Sequence, residues 1–155
     1  MSLRNRVLGT AIAGLIVLPT LTAHADMSLA ETQYWAKEEA AMKEVSDATN
    51  TTCGAHITFD WVNKADLRTK AALPDGMGNK RDPHALCVDV FSAISATCTA
   101  SDDGKKRVVQ KIRSVACGWS DPRTLGLSGG KLTLMNNTRE YNFAQWAQPQ
   151  LATLL

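Results

Sequence analysis

Two cysteines, Cys87 and Cys98, constrain this chain more than any other feature. Asp82-Pro83 is a helix start: Asp suits the N-cap, and Pro suits the first helical position, where its missing N–H costs nothing. Behind it Cys87, Val90, Phe91, Ile94 and Cys98 recur at three- and four-residue steps, one apolar stripe of a 3.6-residue helix. Both thiols therefore face one core. Along the axis they stand roughly 16 Å apart, at 1.5 Å per residue. A disulfide needs Cα atoms within about 7 Å. The two cannot join each other, so one of the three pairings open to four cysteines is excluded.

The N-terminus reads as a secretory signal. Arg4 and Arg6 form a basic start, Val7 to Leu21 are mostly apolar, and Ala23-His24-Ala25 is an A-x-A cleavage site. The expected organisation is a cleaved signal over 1–25 and a single domain over 26–155. The apolar run is short for a membrane span, and no later segment is apolar enough to be one, so no stable anchor is expected after cleavage. The whole chain has 17 basic and 15 acidic residues. Arg4 and Arg6 leave with the signal, so the remainder is formally neutral. Nucleic acid and anionic membranes are poor partners for a chain without excess Lys and Arg.

Export to a periplasmic or secreted location, with an even cysteine count, points to two disulfides. Without C-x-x-C or a close Cys/His pairing, neither zinc nor thioredoxin-like redox chemistry is expected. No cofactor is expected either.

Ser28-Leu29-Ala30-Glu31 is a capping box opening the first helix. Tyr34, Ala41, Val45 and Ala48 are expected along its inner side, with Trp35 and Met42 beside them. Glu31, Lys37, Glu38, Lys43 and Glu44 are assigned to solvent, and the polar run Asp47 to Thr52 should end the helix. Ile57, Phe59 and Trp61 alternate with Thr58 and Asp60 as a strand. Asn63 to Leu73 is read as a short helix, and Pro74 to Arg81 as an exposed loop. Ser101-Asp102-Asp103 can cap a short helix that includes Lys105 to Val109, and Lys111 to Trp119 reads as a strand. The basic cluster Lys105, Lys106, Arg107, Lys111 and Arg113 reads as a wet face balanced by Asp102 and Asp103.

Leu125 and Leu127 face Leu132 and Leu134 across Gly129-Gly130. A two-residue turn puts all four leucines on one face. Thr138 can cap a last helix, with Phe143, Trp146 and Ala147 inward, and Pro149 should break or kink it.

The expected fold is α+β: a small, mainly antiparallel sheet of about four strands packed on helices, stapled by two disulfides. If the central helix runs back along the first strand, Cys98 approaches Cys53 and Cys117 approaches Cys87. Cys53–Cys98 with Cys87–Cys117 is the favoured pairing. Cys53–Cys87 with Cys98–Cys117 is the alternative.

The run Cys87…Cys98, Gly104-Lys105, Lys111-Ile112-Arg113-Ser114-Val115-Ala116-Cys117 and the leucine hairpin resembles small exported bacterial proteins of uncharacterised function. The resemblance spans about Cys53 to Leu134. It implies a bacterial periplasmic setting and brings no activity, cofactor or catalytic residue.

Gly126-Leu127-Ser128-Gly129-Gly130 matches G-x-S-x-G, but a nucleophile elbow needs a helix after the serine, and a strand is expected there. His56, His84, Asp60 and Ser128 are the candidates for catalysis, and none is assigned a catalytic role. His84 sits in the first turn of a helix, where positive charge is disfavoured. Asp60 lies between two aromatics but lacks an identified second carboxylate. Paired cysteines leave no thiol nucleophile. The reading that follows is a non-catalytic exported module that binds a protein or envelope partner. One form is an inhibitor of a secreted hydrolase, presenting Lys80 and Arg81. A small periplasmic hydrolase and a structural envelope component are the alternatives.

Overall fold

The computed structural model describes residues 28–71, 81–137 and 143–155. The signal segment, most of the Pro74 to Arg81 loop and Thr138 lie outside them. Among the described residues there are five helices and one four-stranded sheet. The helices are α1 (Leu29–Cys53), α2 (Lys64–Ala71), α3 (Pro83–Ala100), α4 (Asp102–Lys111) and α5 (Phe143–Leu154). The strands are β1 (Thr58–Trp61), β2 (Ser114–Trp119), β3 (Thr124–Ser128) and β4 (Lys131–Asn136). No helix among the described residues is long and apolar enough to cross a membrane.

The class is α+β, but the sheet is mostly parallel rather than mainly antiparallel. Its order is β1-β2-β4-β3. β1 and β4 both run parallel to the central β2, and only the β3–β4 pair is antiparallel. The reason is the connection: α2, α3 and α4 intervene between β1 and β2, and a crossover of that length returns the chain in its original direction. β2 shows the consequence in its residues. Val115, Ala116, Cys117 and Gly118 are all buried, as suits a central strand of a parallel sheet.

The β3–β4 hairpin forms as the leucine pattern requires. Leu127 pairs with Leu132 and Leu125 with Leu134. Gly129 and Gly130 both take positive φ, 58° and 86°, the backbone that a two-residue hairpin turn demands. Across the sheet, Phe59, Val115, Leu132 and Leu127 form one row, and Trp61, Cys117, Leu134 and Leu125 the next. These rows face the helices.

α1 runs longer than its polar end suggests. Ser28 caps it, its Oγ accepting from the Glu31 N–H at 3.2 Å. The Thr51 and Thr52 hydroxyls bond back to the Asp47 and Ala48 carbonyls, so the hydroxyls are satisfied inside a continuing helix. Its buried residues are Trp35, Glu38, Met42, Ser46, Thr49 and Cys53. That stripe is turned from the expected one, and Glu38, assigned to solvent, is fully buried.

α1 and α3 lie side by side and parallel. Glu38 meets His84, Thr49 meets Ser95 at 3.0 Å, and Cys53 bonds Cys98. The second bridge, Cys87–Cys117, ties α3 to the central strand. Both favoured pairings are therefore present, and α3 reaches them by running back along β1 and β2: its late Cys98 meets Cys53 ahead of β1, and its early Cys87 meets Cys117 near the end of β2. Trp35, Phe59, Trp61 and Phe91 join α1, β1 and α3 through ring contacts of 4.7–5.8 Å. α5 packs beside α3 and over β3. It continues through Pro149. Phe143, Ala147, Leu151 and Leu155 are buried on both sides of the proline, and that burial outweighs the lost backbone hydrogen bond.

Candidate functional site

β1 is an edge strand, and its open side forms one wall of a cleft. Thr58 and Val62 donate their N–H groups to Arg113 and Cys117 of the β2 side, at 3.1 and 2.7 Å. Alternate residues therefore aim their main-chain groups the other way, so Ile57, Phe59 and Trp61 address the open edge. Ile57 is served by two side chains, with the Ser46 hydroxyl donating to its carbonyl at 3.1 Å and Asn50 meeting both of its main-chain groups. Its N–H donates to Asn50 Oδ1 at 2.7 Å, and its carbonyl accepts from Asn50 Nδ2 at 3.0 Å. The Asn50 amide thus imitates a neighbouring strand. The Trp61 N–H donates to Asp60 Oδ1 at 2.8 Å. Between them, the main-chain pair of Phe59 faces outward with no partner among the described residues.

The cleft beside this edge has a volume of about 590 Å³ and is walled on the other side by Glu39, Lys43, Ser46 and Asp47 of α1. A Lys64–Glu39 ion pair joins β1's exit to that wall. Its size falls in the range of ligand-binding clefts, about 300–1,000 Å³.

Two sequence candidates converge here. His56 and Asp60 both line the cleft and are exposed. Ser128 does not join them. It shares a row with Lys131, Ser114 and Thr58, at the far edge of the sheet. Three strand spacings of about 4.8 Å put it roughly 14 Å from Thr58. The residue after its turn begins a strand, so the elbow geometry is absent. Lys80 lies outside the described residues. Arg81 is half-buried, and its N–H donates to the Ala71 carbonyl at 3.3 Å.

Arg81 also acts on Asp89. Burial pushes the Asp89 carboxyl above its ordinary range, and the Arg81 charge pulls it partly back. A carboxyl raised on folding costs stability wherever it is ionised. That cost is complete above the folded pKa and disappears as pH falls to the unfolded value. Asp89→Asn is therefore expected to raise the thermal midpoint at pH 7. The gain should shrink as acid protonates Asp89 in the parent. Midpoints of both proteins measured across pH 3–7 check this, and equal midpoints at pH 7 contradict it.

His84 occupies a different place, at the start of α3. Glu38 Oε2 accepts from the His84 main-chain N–H at 2.9 Å and contacts its Nδ1 at 2.8 Å. Asp82 stands at the N-cap without a side-chain cap bond. Glu38, from another helix, supplies the capping carboxylate, where the helix dipole favours negative charge. Tyr34 is nearby. Desolvation first, then the charges of Glu38 and Asp82, push its hydroxyl up to about 12.

Glu38 and Asn50 are the site residues that sequence reasoning missed. A signal for Glu38 existed. Counting back from Cys53 in steps of four and three reaches Thr49, Ser46, Met42, Glu38 and Trp35. Placing Cys53 on α1 would have set the phase of the helix.

Fold and cleft together define a disulfide-stapled, two-layer α+β domain with an open parallel edge strand. Comparison with protein-family models, with curated proteins and with solved structures found no match for this chain.

Proposed function

We propose that this protein is a non-catalytic, exported binding module that takes an extended segment of a partner protein along the open edge of β1. The observation that carries the reading is the unpaired main-chain N–H and C=O of Phe59 facing the cleft, flanked by Asn50 in the role of a strand. An added strand gains affinity from main-chain hydrogen bonds and specificity from alternate side chains. Here those side chains would meet His56, Asp60, Lys43 and Asp47, a rim of both signs. Two disulfides and the absence of a membrane-crossing helix among the described residues are compatible with an oxidising compartment outside the cytoplasm. The separation of Ser128 from Asp60 weighs against the small-hydrolase alternative.

The test is amide hydrogen exchange. Peptides selected from a displayed library for binding to the purified protein should slow exchange at Phe59 by about tenfold or more. Exchange at Ser128, on the opposite edge, should not change. Bound peptide that leaves Phe59 exchanging at its free rate rules out edge pairing.

A further inference from the structure

Glu38 has an oxygen to spare. Oε2 is held by His84, whereas Oε1 is buried with no hydrogen-bond partner. Leaving a buried polar atom unsatisfied is costly, so a fully buried carboxylate with a free oxygen needs an explanation. Asp82, whose side chain makes no cap bond, lies beside it. One ligand atom from each of Glu38, Asp82 and His84 falls within 4.8 Å of the others.

We propose that Glu38, Asp82 and His84 bind one divalent transition-metal ion of the zinc class, with a fourth position open to water. Ligands about 2.0–2.1 Å from a tetrahedral ion stand roughly 3.3 Å apart. The 2.8 Å Glu38–His84 contact therefore opens by about half an ångström, and the exposed Asp82 side chain swings in to close the third corner. The ion takes the place of the proton between His84 Nδ1 and the Glu38 carboxylate, and gives Oε1 the partner it lacks.

The donor set decides the class of ion. One imidazole and two carboxylates suit Zn²⁺ and its neighbours. Ca²⁺ demands six to eight oxygens, which three residues with a nitrogen do not supply. The N-terminal dipole of α3 opposes a cation. Two full negative charges at bonding distance outweigh half a positive charge, and with neutral His84 the loaded site carries no net charge. The site is independent of the β1 edge, so either proposal can fail without the other.

The experiment uses the untagged chain, freed of metal by chelator. Zn²⁺ alone is titrated by calorimetry, and Co²⁺ alone by visible absorption. One equivalent of Zn²⁺ should bind, and Co²⁺ should give the visible bands of a four- or five-coordinate site. Asp82→Asn and His84→Gln should each weaken binding by about tenfold or more. Asp82 is exposed, so its variant should keep the parent's melting midpoint and carries the test if His84→Gln does not fold. Absence of saturable binding overturns the proposal, as does an affinity unchanged in Asp82→Asn.

Discussion

Replacing Cys53 and Cys98 together by alanine is expected to lower the unfolding free energy by about 4 kcal/mol. The two residues are 45 apart in sequence, and in the chain-entropy model a loop of that length gives this figure. Domains have only about 5–15 kcal/mol to lose, so the variant should unfold at much lower urea. Geometry sharpens the expectation. The bridge joins the C-terminal ends of α1 and α3, which elsewhere meet through Thr49–Ser95 and Glu38–His84. Without it, the last turns of α1 are expected to lose amide-exchange protection first. Cys87→Ala with Cys117→Ala opens a loop of 30 residues and is expected to cost slightly less in the same model, about 3.6 kcal/mol. Urea curves on the two double variants check both values. A Cys53/Cys98 variant as stable as the parent would mean that packing alone holds α1 in place.

Glu38→Ala is the second large change, with an expected cost of about 2–4 kcal/mol. Deleting one partner of a buried pair costs about 3–5 kcal/mol, less here because His84 is one-third exposed. The loss leaves the His84 main-chain N–H uncapped and its ring nitrogen unpaired. Removing the orphaned Oε1 returns part of that cost. Glu38→Gln keeps an acceptor for the main-chain N–H and should cost less than alanine. The surface variant Glu44→Ala, on the same helix but exposed, should fall within about 0.5 kcal/mol of the parent. Chemical denaturation of the three variants ranks them. If Glu38→Ala matches Glu44→Ala, then Glu38 does not hold α3.

At the same residue the sequence pattern and the packing part. A helix has one buried stripe, and Tyr34, Ala41 and Val45, which suggest its phase in the sequence, are only half-buried. The true stripe passes through Ser46 and Thr49, whose hydroxyls look polar in sequence but are satisfied by the Ile57 carbonyl and Ser95. Buried polar groups hide in this way because the partner that makes burial tolerable lies far along the chain. The cleft was half legible. His56 and Asp60 were singled out for their chemistry, yet what brings them together is an unpaired strand edge, and no local pattern says which edge stays open. The mainly antiparallel sheet failed for a related reason. Alternation along Phe59 and Trp61 shows a strand, but direction is set by the strand beside it, here 56 residues later at Val115 and Cys117.

Local chemistry alone determined the helix starts at Ser28 and Ser101, the hairpin at Gly129-Gly130 with its leucine register, and the distance that keeps Cys87 from Cys98. Each depends on residues a few positions apart, where backbone geometry leaves few choices. Only tertiary structure decided that β1 runs parallel to β2, that Glu38 lies under His84, and that the main-chain groups of Phe59 face an open edge. Those outcomes compare packings between segments about 45 or more residues apart, and their energies do not exist until the segments meet.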